Sequence, residues 1–474
     1  MIRDEFIKTF KQKLKYQPTR DQESSIQTLA DFILNIEKQE IYLLKGYAGT
    51  GKTTLIDGIV KSTKHFKIKT ILLAPTGRAA KVINKITGKI AYTIHKKIYR
   101  QKSSKDGFGN FALGENLHKN TIFIVDEASM IANNSIEKST FGSGRLLEDL
   151  IHFVFSGERC KLIFIGDTAQ LPPVKLNISP ALDSYALKMF MYPVLTNTLT
   201  EVVRQKENSG ILYNATQLRQ LLDEDKIEIK INTQDFNDIQ AINGEMLIEE
   251  LNTAYDKNGL EQCIVICRSN KRANRFNQGI RNTILYREER ISVGDLIMVV
   301  KNNYFWTEDE IDIDFIANGD IAEITHIFGY ETIYGFDFAD ITIRLIDYDD
   351  IEINVKILLN TLESETSALS FDENKNLFYK ILEDYTDIKP KSKQYKEVRE
   401  NPFFNALQIK YAYAITCHKA QGGQWKNVFI DQGYINDEMI DKEYLRWLYT
   451  AFTRPSEQLF LINFSQKMLD IDDF

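Results

Sequence analysis

The sequence has few cysteines and no segment suited to a membrane. The four cysteines of its 474 residues lie in apolar stretches, and only Cys263 and Cys267 are close together. Without a second pair or neighbouring histidines, we expect buried thiols rather than a disulfide framework or a metal site. No apolar run has the length of a membrane span, and residues 1–17 lack the apolar stretch of a signal peptide. We therefore predict an intracellular, cytoplasmic protein with no membrane partner.

The charge balance argues against a protein that coats nucleic acid through general basicity. Lys and Arg number 59 against 66 Asp and Glu, which gives a net charge of −7. Any site for a polyanion must therefore be local. Hydrophobic and charged fractions of 43% and 26% are typical of a folded protein, and the length predicts two to four domains.

The stretch at 41–59, IYLLKGYAGTGKTTLIDGI, fits the pattern of a phosphate loop between a strand and a helix. Glycines let successive backbone N–H groups point at phosphate oxygens, and the helix N-terminus adds partial positive charge there. Lys52 would reach the β and γ phosphates of ATP, and the Thr53 hydroxyl would bind Mg²⁺. The residues predicted to bind the nucleotide are Gly46, Gly49, Thr50, Gly51, Lys52, Thr53 and Thr54.

A helix that begins after Thr19 leads into this loop. Gln22 stands three residues after the cap, followed by apolar residues at helical spacing. An amide donates and accepts hydrogen bonds at once, so Gln22 is suited to an adenine edge. The alternative is that Gln22 only closes the capping box.

A turn with Pro75, Thr76 and Arg78 follows the predicted strand at 70–74. Thr93 and His95 come after it in AYTIHKKIY. Small polar groups at the carboxyl ends of parallel strands are where α/β sheets place ligand contacts. Ordinary turn residues are the alternative for each taken singly.

Two further predicted strands end in chemistry-bearing side chains. The strand at 121–126 delivers Asp126 and Glu127, and buried acids are costly unless they are paired or bind a metal. Beside a phosphate loop, Asp126 would hold Mg²⁺ and Glu127 would orient a water. The strand at 161–165 leads to Gln170, whose amide could sense a γ-phosphate.

The remaining segments indicate two insertions in an α/β chain. Residues 100–120 are polar and glycine-rich with Phe108 and Phe111, which indicates a small hairpin or, equally, a flexible loop. Short alternating strands and turns from about 291 to 400 indicate an all-β insertion. The apolar strand at 263–267 before this insertion and the last seventy residues after it indicate α/β structure on both sides.

Eight of these segments together resemble the motifs of superfamily 1 helicases, in particular the superfamily 1B group that contains RecD and the phage Dda-like proteins. The matching stretches, in the order of the family, are GYAGTGKTT, APTGRAA, TIH, VDEASM, GDTAQLPPV, LTEVVRQ, TCHKAQG and YTAFTRP. They run from about Gln22 to Arg454, and the chain is similar in size to the Dda-like proteins.

The resemblance implies an α/β fold with two RecA-like phosphate-loop domains. The first domain would comprise 1–90 and 119–198, with a hairpin insertion at 91–118. The second would comprise 199–284 and 401–474, with a β-rich, SH3-like insertion at 285–400. ATP would bind in the cleft between the two domains, and single-stranded DNA would run across both.

Residue roles also follow from the resemblance. Gln22 would read adenine, and Arg204 and Arg454 would contact the γ-phosphate. A planar, permanently charged guanidinium suits that role because charge spreads over the transferred phosphoryl group. The catalytic set would be Lys52, Glu127, Gln170, Arg204 and Arg454, with Thr53 and Asp126 on Mg²⁺. DNA contacts would come from Pro75, Thr76, Arg78, Thr93, His95, Phe108, Phe111, Thr416 and His418.

The implied activity is ATP-dependent unwinding by a motor that moves 5′ to 3′ on single-stranded DNA, in a bacterial or phage-infected cell. Its partners would be single-stranded DNA, its junctions with duplex, and replication or recombination proteins. The alternative is a translocase or motor subunit of a larger recombination or nuclease complex that does not unwind alone. We assign no role to 133–144.

Overall fold

The computed structural model describes residues 2–35, 37–101, 111–133, 142–203, 209–307, 313, 315–346, 348 and 351–470. These residues form two compact units. The first contains the described residues up to Ile227 together with Ile440–Thr453. The second contains Glu228–Met439 and the described residues from Arg454 onward.

A six-stranded parallel sheet is the centre of the first unit. Its strands stand in the order β3-β2-β6-β7-β1-β8. The four central strands are near-continuous apolar runs, as expected of strands covered on both faces. The bounds of the six strands are β1 Ile41–Gly46, β2 Lys69–Ala74, β3 Ala91–Thr93, β6 Thr121–Val125, β7 Lys161–Gly166 and β8 Val194–Leu199.

Helices cover both faces of this sheet and create two apolar cores. One core contains Phe6, Phe10 and Ile26, and the other contains Phe123, Phe153 and Phe164. The helices of the first unit are α1 Ile2–Lys13, α2 Arg20–Leu34, α3 Lys52–His65, α4 Gly77–Thr87, α5 Ile94–Ile98, α6 Leu146–Ser156, α7 Ser184–Lys188, α8 Gly210–Leu221 and α15 Lys442–Phe452. This is the predicted phosphate-loop type of α/β domain.

The predicted hairpin insertion is present as a pair of short antiparallel strands. Strand β4, Tyr99–Gln101, pairs with β5, Phe111–Leu113. Phe111 is half-buried on β5. Phe108, predicted to lie at the tip, is outside the described residues.

The second unit contains a five-stranded parallel sheet in the order β16-β10-β17-β18-β9. The strands are β9 Ile239–Ile242, β10 Cys263–Cys267, β16 Ala414–Thr416, β17 Trp425–Asp431 and β18 Pro455–Ile462. The α-helices beside the sheet are α9 Leu247–Asn258, α10 Asn270–Gly279 and α14 Cys417–Ala420. A second parallel α/β layer, predicted from the apolar strand at 263–267, is therefore confirmed.

The predicted β-rich insertion is a closed five-stranded barrel. Its strands are β11 Leu296–Val299, β12 Ile321–Ile333, β13 Phe336–Leu345, β14 Ile351–Leu358 and β15 Leu407–Tyr411. Only the pair β14–β15 is parallel. The connection between these two strands carries helices α11 Asn360–Glu363, α12 Phe371–Leu382 and α13 Lys391–Glu400.

The sequence analysis predicts only strands and turns for 291–400, so that prediction is wrong for these helices. Local sequence signals account for α12. Ser370 and Glu373 form a capping box at the start of α12. Leu377 and Ile381 then fall on one helical face and pack with Phe338 of the barrel. The domain boundaries predicted from the sequence stay a prediction.

Candidate functional site

The phosphate loop joins β1 to α3 as the sequence predicts. Gly49 and Gly51 have φ values of 75° and 84°, in the left-handed region that favours glycine. A Cβ on Gly49 would lie 2.8 Å from Leu212 Cδ1, so a larger residue there would also have to displace the Leu212 side chain. The Thr50 hydroxyl is buried and donates to the Tyr47 carbonyl at 2.8 Å, which makes Thr50 a residue that shapes the loop.

Lys52 folds back over this loop. Its Nζ donates to the carbonyls of Gly46 and Tyr47 at 2.7 and 2.9 Å, and lies 3.7 Å from Asp167 Oδ2. The side chain is 15% exposed. A partly exposed ammonium held mainly by neutral carbonyls is well suited to take an anion.

Gln22 closes the capping box, which confirms one of the two sequence interpretations of this residue. Its partner in the box is Thr19, and its Nε2 also donates to the Thr50 carbonyl at 2.9 Å. A Cβ on Gly51 would lie 2.4 Å from that nitrogen. Gln22 is therefore attached to the phosphate loop, and its reading of adenine stays a prediction.

Asp126 and Glu127 stand at the carboxyl end of β6. Asp126 is 9% exposed and accepts a hydrogen bond from the Glu127 amide at 2.8 Å. Burial, and next the Glu127 charge, raise the pKa of Asp126 to about 7, while Lys52 acts in the opposite direction. The negative charges of Asp126 and Glu127 are only partly offset by Lys52. A divalent cation bound here would relieve their repulsion.

Gln170 lies after β7 and is 5% exposed. Its Oε1 is buried without a hydrogen-bond partner among the described residues. Buried acceptors are nearly always satisfied, so an orphan here fits a ligand or water. The hydroxyls offered by Thr53 and Thr54 at the start of α3 are half-buried.

The site also contains residues that sequence reasoning missed. Tyr449 on α15 accepts from the Ala48 amide at 2.8 Å and donates to Asp167 Oδ2 at 2.7 Å. Burial, and next the charge of Asp167, raise the pKa of Tyr449 well above its usual value. Thr450 accepts from the Leu171 amide at 2.8 Å, and Arg446 donates to the Thr168 carbonyl. Tyr449 and Thr450 open the stretch YTAFTRP and Arg446 lies just before it, and this position was the only signal in the sequence that could have indicated them.

The predicted DNA contacts of the first unit lie at the carboxyl ends of β2 and β3, which pair with Ala74 opposite Thr93. The Thr76 and Thr93 hydroxyls cap α4 and α5, accepting from the amides of Ala79 and Lys96 at 3.2 and 3.1 Å. Pro75 and Arg78 are half-buried beside them.

His95 is neutral at physiological pH because burial lowers its pKa to about 4. Its ring lies against that of Tyr99, with centroids 5.7 Å apart. A DNA contact through His95 would therefore use a neutral ring and not a cation.

The remaining predicted residues belong to the second unit or lie outside the described chain. Arg454 is buried and donates to the Gly423 carbonyl at 3.3 Å. Thr416 is half-buried at the start of α14, and His418 is exposed on it. Arg204 lies outside the described residues.

Within the part of the chain that the structure describes, no group of three His, Cys, Asp or Glu side chains is arranged to hold a metal ion. No helix among the same residues combines the length and apolarity needed to cross a bilayer. All four cysteines are buried, as predicted.

Comparison with known families finds two matching domain models. An AAA domain model matches residues 20–239, and a UvrD-like helicase C-terminal domain model matches 411–462. The first match contains the phosphate loop, Asp126, Glu127 and Gln170, and the second contains Thr416, His418 and Arg454.

Three individual relatives have low sequence identity to this chain but align with more than half of its length. The RecD subunit of the RecBCD enzyme from Buchnera aphidicola is 24% identical over 90% of this chain and 70% of its own length. The ATP-dependent DNA helicase dda of Enterobacteria phage T4 is 28% identical over 56% of this chain and 57% of its own. An uncharacterised protein of Methanocaldococcus jannaschii is 26% identical over 93% of this chain, which spans only 38% of that relative.

Among solved structures, a Pif1 helicase studied at forked double-stranded DNA aligns over 97% of this chain and 95% of its own. The identity is 16% and the TM-score is 0.49.

Proposed function

We propose that this chain, which belongs to the RecD- and Dda-like group of superfamily 1B helicases, uses ATP hydrolysis to move 5′ to 3′ along single-stranded DNA and to separate duplex ahead of it. The observation that carries the proposal is the convergence of Lys52, Asp126, Glu127 and Gln170 at one edge of a single parallel sheet. A phosphate loop alone would support nucleotide binding. Buried Asp126, half-buried Glu127 next to it, and the Gln170 acceptor that has no partner among the described residues support hydrolysis.

Each residue has a role consistent with its surroundings. Lys52 exchanges its loop carbonyls for phosphate oxygens, and Glu127 orients the attacking water. Thr53 and Asp126 hold Mg²⁺, which when bound neutralises charge on the phosphates. Gln170 contacts the γ-phosphate, and Gln22 reads the base while it stays attached to the loop.

Arg204 and Arg454 are proposed to stabilise the transferred phosphoryl group. A guanidinium gains a partner when ATP binds and loses it on hydrolysis. Nucleotide can drive movement only if it binds two conformations with different affinity, because a ligand shifts an equilibrium only by that difference.

The proposed DNA path uses the residues around Thr76 and Thr93 in the first unit and Thr416 and His418 in the second. The hairpin of β4 and β5, with Phe111 on its second strand, would divide the strands at the junction. Replication or recombination proteins are proposed partners, and the cytoplasm of a bacterial or phage-infected cell is the proposed location.

A second candidate is a motor subunit that needs partners before it unwinds DNA. It is favoured by the match to a protein that is itself a subunit of the RecBCD enzyme. Strand separation by the purified chain alone would exclude it. DNA-stimulated ATP hydrolysis without strand separation would support it.

The experiment that tests the site is Lys52→Ala, with Lys61→Ala as its control. Both residues lie on α3, but Lys61 pairs with Asp57 at 2.6 Å and not with the loop. We expect Lys52→Ala to lose ATP hydrolysis and unwinding while it stays folded, and Lys61→Ala to keep both activities. Wild-type turnover by Lys52→Ala would overturn the site.

A further inference from the structure

One segment of this acidic protein contains no acid at all. Residues 58–105 hold 13 Lys and Arg and no Asp or Glu, although the whole chain has a net charge of −7. The described part of this segment extends from the middle of α3 through α4 and α5 to β4. Positive charge is therefore concentrated on one part of the first unit.

Five of these lysines lie at the amino ends of the sheet strands. The phosphate loop lies at the opposite, carboxyl ends. Lys64 is in the last turn of α3 and Lys85 in the last turn of α4. Lys67 and Lys69 lead into β2, and Lys89 precedes β3, with its Nζ 2.6 Å from Thr70 Oγ1. We call these five residues the basic edge.

The basic edge has no counter-charge of its own. None of its five lysines forms an ion pair with a carboxylate within the part of the chain that the structure describes. Lys64, Lys67, Lys69 and Lys85 are exposed. Burial, and next the charge of Lys64, lower the pKa of Lys89, so these two cations repel each other in the folded protein. Such a surface is stabilised by a bound polyanion.

Helix stability explains only part of this arrangement. Lys64 and Lys85 lie at helix C-termini, where cations offset the partial negative charge of the helix. Lys67 and Lys69 lie outside any helix. Lys67 has a φ of 58°, a left-handed conformation that glycine adopts with less strain. A lysine therefore occupies a position where the backbone alone favours glycine.

The position of the basic edge relative to the proposed single-strand path indicates which polyanion it binds. Lys69 and Ala74 stand at opposite ends of β2, about 17 Å apart at the usual rise per residue. Thr76 and Thr93 follow the far end, so the basic edge is separate from the predicted single-strand contacts. Lysines act as point charges on phosphates and carry no base specificity.

We propose that the basic edge binds the phosphate backbone of the duplex arm of a DNA junction, a contact additional to the single-strand path. This inference rests on the proposed helicase function. It adds a second site for the substrate, one that holds DNA without regard to sequence and is sensitive to salt.

The test compares binding of two labelled DNAs by fluorescence anisotropy at several salt concentrations. One DNA is a short duplex with a single-stranded tail, and the other is the tail alone. The test variant is K64Q/K67Q/K69Q/K85Q, which spares Lys89 because of its bond to Thr70. The matched control, K375Q/K380Q/K391Q/K393Q, removes four exposed lysines from α12 and α13 of the second unit.

We expect the test variant to lose about tenfold in affinity for the tailed duplex and to reduce the salt slope by about 3 to 4. Affinity for the tail alone and single-strand-stimulated ATP hydrolysis should stay within about twofold of wild type, and the control should match wild type on both DNAs. If the quadruple variant does not fold, K67G/K69Q replaces it, because glycine suits the backbone at 67; its slope should fall by about 2.

Three results would overturn the proposal. The first is unchanged binding of both DNAs by the test variant, after which an acidic protein would be the next class of partner to examine. An equal loss for tail and tailed duplex would place the lysines on the single-strand path. An equal loss in the control variant would show a general charge effect. Failure of the helicase function itself is separate, because it appears as absent ATP-dependent unwinding by the wild-type chain.

Discussion

Tyr449 and Asp167 are joined by a 2.7 Å hydrogen bond across 282 positions of sequence. The Tyr449 hydroxyl also accepts from the Ala48 amide at 2.8 Å, so one side chain connects α15 with the end of β7 and with the phosphate loop. Asp167 is fully buried, and the nearest cation, Lys52 Nζ, is 3.7 Å away. Tyr449 is thus a principal donor to a buried carboxylate.

Removal of this hydroxyl should destabilise the first unit. Tyr449→Phe leaves Asp167 short of a donor and Ala48 short of an acceptor, and hydrogen bonds to charged groups contribute about 1.5–3 kcal/mol. We expect a melting temperature lower by several degrees. Tyr434→Phe is the control, because that side chain is 81% exposed. Equal melting of the two variants would show that the bond contributes nothing.

The attachment of Gln22 to the loop predicts a difference between two glycine substitutions. Gly51 and Gly88 both have left-handed φ values, 84° and 63°, so alanine strains the backbone at either. Only at Gly51 would the new Cβ meet another group, Gln22 Nε2 at 2.4 Å, whereas nothing lies within 4 Å at Gly88.

We therefore expect G51A to lose at least about tenfold in ATP affinity, since Gln22 must leave Thr50 and the loop must shift. G88A should bind ATP as wild type does. Fluorescent-nucleotide titration measures both, and equal affinity in the two variants would show that contact between Gln22 and the loop is unimportant for the nucleotide.

Glu127 is predicted to act in hydrolysis but not in nucleotide binding. Glu127→Gln keeps the size of the side chain and removes its ability to accept a proton from water. We expect the turnover number to fall by about 10²–10³ while ATP affinity changes little. A variant that hydrolyses ATP at the wild-type rate would assign the water-orienting role elsewhere.

His95 predicts a pH dependence of stability. Its pKa is about 4 in the folded protein and 6.5 in the ordinary case, so the unfolded chain binds the extra proton between these values. Stability is unaffected above pH 6.5 and falls as pH decreases toward 4, by on the order of 3 kcal/mol in full.

His95→Asn should remove this part of the decline. Melting temperatures of the variant and wild type, measured from pH 7 to 4.5, should converge as the pH falls. His152→Asn, at an exposed histidine on α6 of the same unit, is the control. Curves for His95→Asn and wild type that stay parallel would contradict the buried neutral state.

The sequence was most informative where chemistry depends on neighbours along the chain. The phosphate loop, the acids after β6 and the cap at Thr19 each occupy a few consecutive residues, and all three lie where predicted. Tyr449 and Arg446 escaped prediction because their partners Asp167 and Thr168 are 282 and 278 residues away, and only tertiary packing brings them together.

Helix α12 was missed for a different reason. Its capping box and apolar spacing are present in the sequence, but the turns and strands on either side favoured an uninterrupted β segment. The basic edge required both kinds of information. The lysines are visible in the sequence, while the strand register places them at the edge opposite the phosphate loop.

The measurement that tests the account most directly is ATP- and Mg²⁺-dependent unwinding of a short duplex by the purified chain, with a single-stranded tail at either the 5′ or the 3′ end. We predict strand separation from the 5′-tailed substrate and none from the 3′-tailed one, lost in Lys52→Ala. Unwinding only from the 3′ tail would contradict the proposed direction. No unwinding of either substrate, with no stimulation of ATP hydrolysis by single-stranded DNA, would contradict the helicase function itself.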